Sequence, residues 1–191
     1  MADFKKIMTP EFRVSYPELF TPKSFSPEQE PKFSVQMLFP KESKAELAGM
    51  MNLVKEVIAE KWPGKDEAFL AKLRKPWKDG DTDRENKPEY EGMIFCNATS
   101  RQDRKPVVVD ENADQIIDQS EVYGGCWCRA TITCYAYDKA GNRGVAFGLQ
   151  GIQKIRDDDR FGGGGGSAAD FSPVGAAGSK SDEEAMDDMF S

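Results

Sequence analysis

Three clusters in this chain have residue types and spacings that could do chemistry. The first is Asp79, Asp81 and Asp83, alternating carboxylates that could converge on a hard cation. Two magnesium ions held there would cut phosphodiesters, which makes a metal-dependent nuclease the enzymatic alternative for this sequence. The pattern then fails, because Arg84 stands where a calcium loop needs glycine, Tyr90 stands where it needs a bidentate glutamate, and the chain has no histidine. The second cluster is Cys126, Cys128 and Cys134, with Cys96 farther off. Alternate residues of a strand are roughly 6.6 Å apart, farther than two sulfurs on one tetrahedral zinc should be. These cysteines read as small buried hydrophobes, thiols rather than disulfides, and no metal, cofactor or catalytic residue is expected. The third cluster is Trp127, Arg129, Tyr135 and Tyr137, whose chemistry is noncovalent: rings accept any unpaired base, and a guanidinium pairs with phosphate.

A β-hairpin must position that third cluster. From Cys126 to Tyr137 the residues alternate, with Cys126, Cys128, Ala130, Ile132, Cys134 and Ala136 on one parity and Trp127, Arg129, Thr131, Thr133, Tyr135 and Tyr137 on the other. Successive strand side chains point to opposite faces, so the first set suits a tight core and the second suits a stacking platform. The second set would equally suit packing against another sheet, and alternation alone does not separate the two. Residues 138 to 144 supply the turn, with Gly141, Asn142 and Gly144 able to take positive φ. On the return strand Val145, Phe147 and Leu149 point inward until Gly151 marks a bulge, and Lys154 and Arg156 add cations to the binding set.

Four further strands are expected, around Phe12 to Tyr16, Phe33 to Phe39, Met93 to Ser100 and Pro106 to Asp110. A helix follows the second strand, with Ser43 and Glu46 in capping-box form and Leu47, Met50, Met51, Val54 and Ile58 as a packing stripe that ends at Trp62. A short helix is expected near Asp66 to Leu73, then a long polar loop from Arg74 to Pro88. That region holds Lys72, Arg74, Lys75, Trp77 and Lys78, cations around one large ring that would suit a nucleic-acid strand or simply anchor the loop. A second basic connection holds Arg101, Arg104 and Lys105. About six strands with a helix inserted make a mainly β fold, a small closed or partly open antiparallel barrel.

The formal charge is -7, and residues 157 to 191, with nine acidic and two basic residues, account for all of it, since 24 acidic and 24 basic residues cancel in the rest. The expected division is a domain over residues 1–161 and a glycine-rich linker with an acidic tail over 162–191, too polar to order itself. The tail carries Asp182, Glu183, Glu184, Asp187, Asp188, Met189 and Phe190, acids around an apolar end that suits recognition by a partner. No signal-peptide pattern opens the chain and no apolar run reaches membrane-spanning length, so a soluble cytoplasmic protein without a membrane partner is expected.

The segments FSVQMLFPK (Phe33 to Lys41), KPWKDGD (Lys75 to Asp81), EGMIFCNATS (Glu91 to Ser100) and the whole run from Tyr123 to Asp157 resemble a family of phage and prophage single-stranded DNA-binding proteins. That family is related in fold to the helix-destabilising protein of T-odd coliphages, and the similarity covers most of residues 10 to 160. The resemblance implies an OB-fold that coats replication or recombination intermediates in the host cytoplasm. It also implies a tail that recruits replication proteins such as a polymerase or helicase-primase. Related tails commonly end on the aromatic itself, whereas Ser191 follows Phe190 here. Coating and strand annealing are not distinguished at this level, and oligomeric state stays open, a homodimer included.

Overall fold

A computed structural model describes residues 5–161. The expectations for the linker and acidic tail lie outside the described residues. The strands are β1 (Lys6–Met8), β2 (Phe12–Lys23), β3 (Lys32–Pro40), β4 (Trp77–Asp79), β5 (Met93–Arg101), β6 (Val107–Val109), β7 (Trp127–Lys139) and β8 (Asn142–Arg156). The helices are α1 (Ala48–Lys61), α2 (Glu67–Ala71) and α3 (Gly80–Asp83). Five strands close on themselves: β7 pairs with β2, β2 with β3, β3 with β5, β5 with β8 and β8 with β7. This is the expected OB-like barrel with a helix inserted after its second barrel strand. Its one parallel seam is β5 with β8, through Ala98 opposite Phe147 and Thr99 opposite Gly148. A ring of five strands cannot alternate direction all the way round, so one pair has to run parallel.

β1 adds to the outer side of β7, β6 runs parallel on β8, and β4 lies on β5 ahead of the point where β8 joins it. Sequence reading missed β1 and β4 because these three-residue strands lack a β-branched run like that of Val107–Val109, and β4 fell inside the stretch read as polar loop. The capping box also differs: α1 begins after Leu47 without a side-chain cap, and the Ser43 carbonyl accepts from Glu46 and Leu47 in a preceding 3-10 turn. Asp66 does cap α2, accepting from the Phe69 amide at 2.9 Å.

The barrel interior takes Phe12, Val14, Met37, Phe147 and Leu149 together with the small parity of β7, Cys126, Cys128, Ala130, Ile132 and Cys134, all buried. A five-stranded barrel is narrow, so small residues on one strand leave room for the phenylalanines of its neighbours. The four cysteines are free thiols. Burial pushes the Cys96 thiol far up and that of Cys134 up to about 12. Cys126 and Cys128 bring their sulfurs to 3.8 Å, closer than strand spacing alone implies, beside a register shift at the start of β7. Leu47, Met50, Leu53 and Val54 of α1 pack on the same core, and Trp77 joins it by stacking on Phe147 with centroids 5.8 Å apart.

Candidate nucleic-acid interface

The β7–β8 hairpin is joined by a two-residue turn in which Ala140 (φ 50°) and Gly141 (φ 83°) are both left-handed and Lys139 pairs with Asn142. The turn is shorter than its composition suggested, so Asn142 and Gly144 lie inside β8. Gly144 is needed there for closeness. A Cβ on it would come within 2.6 Å of both the Arg74 carbonyl oxygen and the Tyr137 hydroxyl. Arg74 binds the hairpin edge through its own backbone, donating to the Arg143 carbonyl at 2.9 Å and accepting from Val145 at 3.0 Å. The cation-rich segment read as a loop is thereby fixed beside Tyr137.

Outward on β7, Thr133, Tyr135 and Tyr137 stand opposite Gly148, Ala146 and Gly144 of β8. A Cβ on Gly148 would meet the Thr133 hydroxyl at 2.5 Å and the Tyr135 ring at 3.9 Å. With only a methyl group between two glycines on β8 beneath them, the two tyrosines, half-buried, border a shallow face instead of a ridge. The face continues through Thr99 and Asn97 of β5 to Ser34 and Gln36 of β3, a row of hydroxyls and amides. Gln36 donates to Asn97 at 3.0 Å and accepts from the Tyr90 hydroxyl, which also pairs with Ser15 at 3.0 Å. Arg74, Lys75 and Lys78 are exposed at one margin, and Arg101, Arg104 and Lys105 at another. Of these, Arg101 pairs with Asp103 at 3.2 Å, while the other five make no ion pair with a described residue. The Lys105 ammonium stands 5.7 Å from the Phe20 ring centre. Half-buried rings, hydrogen-bonding groups and uncompensated cations together suit bases on one side of a strand and phosphates on the other.

The other predicted residues gather elsewhere. β7 rises about 3.3 Å per residue, so Trp127 lies roughly 26 Å along the strand from Tyr135, beyond the bulge at Thr131. The single platform read from alternation therefore splits into two patches. Trp127 is already engaged: its indole N–H donates to Asp158 at 2.8 Å and the Arg156 guanidinium lies 4.5 Å from the ring centre. Arg156 in turn pairs with Glu11 at 2.7 Å, and Arg129 donates to Gln153 at 2.8 Å. Lys154 departs from the expected role. It stands opposite the inward Cys128, its side chain is 13% exposed, and it pairs with Asp157 at 2.7 Å. Trp77, on β4, is half-buried against Phe147 and the core, a placement that suits the plainer of its two readings, an anchor.

What holds the Trp127 patch is the strap from Asp157 to Phe161. Lys154 and the Tyr123 hydroxyl hold Asp157 below the usual carboxylate range, and the Trp127 indole with the Asp159 amide does the same for Asp158. Arg13 donates to the Asp159 carbonyl at 2.9 Å and stacks 4.4 Å from the Phe161 ring centre. Gly125 (φ 118°) lets the strap pass, since a Cβ there would lie 2.1 Å from the Asp159 carbonyl oxygen. Two of the three aspartates of the candidate metal loop are likewise occupied. Asp79 and Asp81 grip Lys41 at 2.8 and 2.5 Å, Asp79 caps α3, and Asp81 accepts from the Gly92 amide. Among the described residues no cluster of three ligating side chains could hold a metal ion. None of their helices is long and apolar enough to cross a membrane.

Sequence reading missed Arg74 as a strand partner, the polar row on β3 and β5, and Arg143, which pairs with Asp138 at 3.0 Å. The glycine spacing of β8 was the available signal, since Gly144 and Gly148 fall on the parity facing the tyrosines.

Comparison with known proteins places these features in a family context. The family model described as Enterobacter phage Enc34, ssDNA-binding protein, matches residues 5–188. Protein p50 of Acyrthosiphon pisum secondary endosymbiont phage 1 is 32% identical over 167 residues, covering 84% of this chain and 88% of that one. The single-stranded DNA-binding protein from bacteriophage Enc34 in complex with ssDNA superposes with a TM-score of 0.71 at 27% identity, covering 82% of this chain and 89% of that one. The single-stranded DNA binding protein gp2.5 encoded by bacteriophage T7 shares the fold, with a TM-score of 0.61 at 17% identity over 90% of this chain and 96% of that one.

Proposed function

Since the chain belongs to the family of the Enterobacter phage Enc34 single-stranded DNA-binding protein, we propose that it coats single-stranded DNA stoichiometrically and without catalysis. The observation that carries this reading is the face where Tyr135 and Tyr137 stand over Gly148 and Gly144, bordered by Arg74, Lys75 and Lys78. Stacking needs unpaired bases, and the cations release counterions by meeting phosphates, so the mode is indifferent to sequence. The Enc34 protein has a solved structure in complex with ssDNA, which supports the same ligand here. Coated strands would be replication or recombination intermediates in the host cytoplasm. Residues 182–190, with Met189 and Phe190 after a run of acids, would recruit replication proteins to them. The engagement of Asp79 and Asp81 by Lys41 speaks for a structural role of those carboxylates. Anisotropy of labelled oligothymidine against duplex of equal length tests the reading. Single strands should bind at least about tenfold tighter, with affinity falling steeply as salt rises. Equal affinity for the two forms overturns it.

A further inference from the structure

Tyr16 is turned out of the barrel against the pattern of its own strand. Phe12 and Val14 of β2 are buried in the core, and plain alternation would send Tyr16 in after them. Instead Tyr16 takes a left-handed φ of 45°, β2 shifts register against β3 between Ser15 and Glu18, and the ring is 56% exposed. That backbone is strained for a large side chain, and Pro17 narrows the conformations of its predecessor further. Glycine would turn the chain there without strain, so the ring is the feature that the strained backbone presents. Lys87 fixes the ring: its ammonium donates to the Tyr16 hydroxyl and stands 5.0 Å from the ring centre. A cation bonded to the hydroxyl at that distance lies off the ring's edge and covers neither face. None of the ring pairs among the described residues includes Tyr16.

The position of Tyr16 relates it to the tyrosines of β7. Its neighbour Ser15 stands opposite Gln36 and Gln36 opposite Asn97, and the registers of β5 with β8 and of β8 with β7 carry the same line through Ala146 to Tyr135. Four strand spacings of about 4.8 Å separate the two ends, roughly 19 Å along the sheet. At the rise of ~3.4 Å of a stacked strand, that is the length of about six nucleotides. We propose that Tyr16 is a second stacking site for single-stranded DNA, an inference that rests on the reading of Tyr135 as the first, and that one strand crosses β8, β5 and β3 between the two rings. The margin at Tyr16 takes a base and not a phosphate. Residues 84 to 91 hold Arg84 and Lys87 against Glu85, Glu89 and Glu91, so they offer the DNA backbone no net attraction. Stacking is indifferent to that balance, because every base has a π-face to lay on the ring.

Tyr16→Gly in the full chain tests this, because it removes the ring and relieves the left-handed backbone, which offsets the lost contact with Lys87. On an oligothymidine longer than the crossing, it should weaken binding about 5- to 150-fold, the range for one stacked base, with Tm close to the parent's and the salt slope unchanged. Tyr16→Trp, which keeps a ring, should bind within about twofold of the parent. Irradiating the parent on oligothymidine substituted with 5-iododeoxyuridine should attach a base to Tyr16, read by mass spectrometry of the peptide. If the parent binds and Tyr16→Gly binds as well as it does, the proposal is overturned and the reading from Tyr135 survives. A parent that binds no single strand overturns both. A Tyr16→Trp protein as weak as Tyr16→Gly, or adducts that form elsewhere and never on Tyr16, show that the ring serves the fold and overturn the proposal whatever the affinity of the glycine variant.

Discussion

Replacing Tyr135 by alanine separates a stacking ring from a packing ring. Tyr135 lies half-buried over Ala146 and Gly148, on the outside of the barrel, and takes no part in the core that β7 builds with its other parity. Its cross-strand contacts contribute ~0.2 to 1 kcal/mol to the fold. For a domain of this size that lowers Tm by no more than about 4 °C. A stacked base contributes ~1 to 3 kcal/mol, so the same change should weaken single-strand binding about 5- to 150-fold. The salt dependence should be untouched, because no phosphate contact is removed. Arg74→Ala combined with Lys75→Ala should do the converse. Two phosphate contacts fewer reduce the slope of log affinity against log salt by about 1.4, so raising salt from about 50 to 200 mM weakens this variant about sevenfold less than the parent. Anisotropy titrations across that range, with thermal melts on the same samples, read both quantities. A Tyr135→Ala protein that melts far lower yet binds within about twofold of the parent would show that the ring serves the fold and that the DNA path runs elsewhere.

Trp127→Ala should behave differently: losing the partner of Asp158 and Arg156 releases the strap, so Tm should fall more than affinity does, seen by melting alongside titration. Acid should release the same strap. Asp157 and Asp158 are held below the ordinary carboxylate range, so their contribution is complete above the unfolded value of about 3.9 and is lost as pH falls through the lower folded values. Trp127 fluorescence followed downward from about pH 4 should report that release, and a flat signal would contradict it. Ala140→Gly relieves a non-glycine residue at φ 50° in the hairpin turn and should raise stability by roughly 1 kcal/mol in a denaturant titration.

How much of this was legible in the sequence depends on the length of the signal. The alternation over twelve residues from Cys126 to Tyr137 correctly assigned the side of every residue on β7, because a one-residue error would have put cysteines outside and tyrosines inside. The same pattern carries no information about curvature, so it could not show that Trp127 and Tyr135 end up on separate patches. Lys154 misled for a related reason: a lysine near the end of a strand looks available, and only its register opposite Cys128 turns it inward. The grip of Asp79 and Asp81 on Lys41 joins residues some forty positions apart, and a local spacing rule reads such carboxylates as a candidate site because it cannot see their partner. Arg74 contributes through its backbone, which leaves no trace in residue type.

The route by which the ring of strands closes bears on how the chain must be made. β2 meets β3 within one short connection, but Phe12 and Arg13 find their other neighbours only at Cys128 and Trp127, and Ala98 waits for Phe147. A ribosome releasing this chain from its N-terminus exposes β2, β3, β5 and the short β4 as an open sheet, with the outer edge of β2 and the part of β5 that β8 will join unpaired until the hairpin emerges. Contacts this distant in sequence make folding slow, and such edges invite pairing with other nascent chains. Truncation before residue 127 should therefore yield aggregate, not a smaller binding module. The segment carrying the tyrosines is also the one that seals the barrel, so a chain acquires its candidate DNA face in the same step that makes it a folded protein.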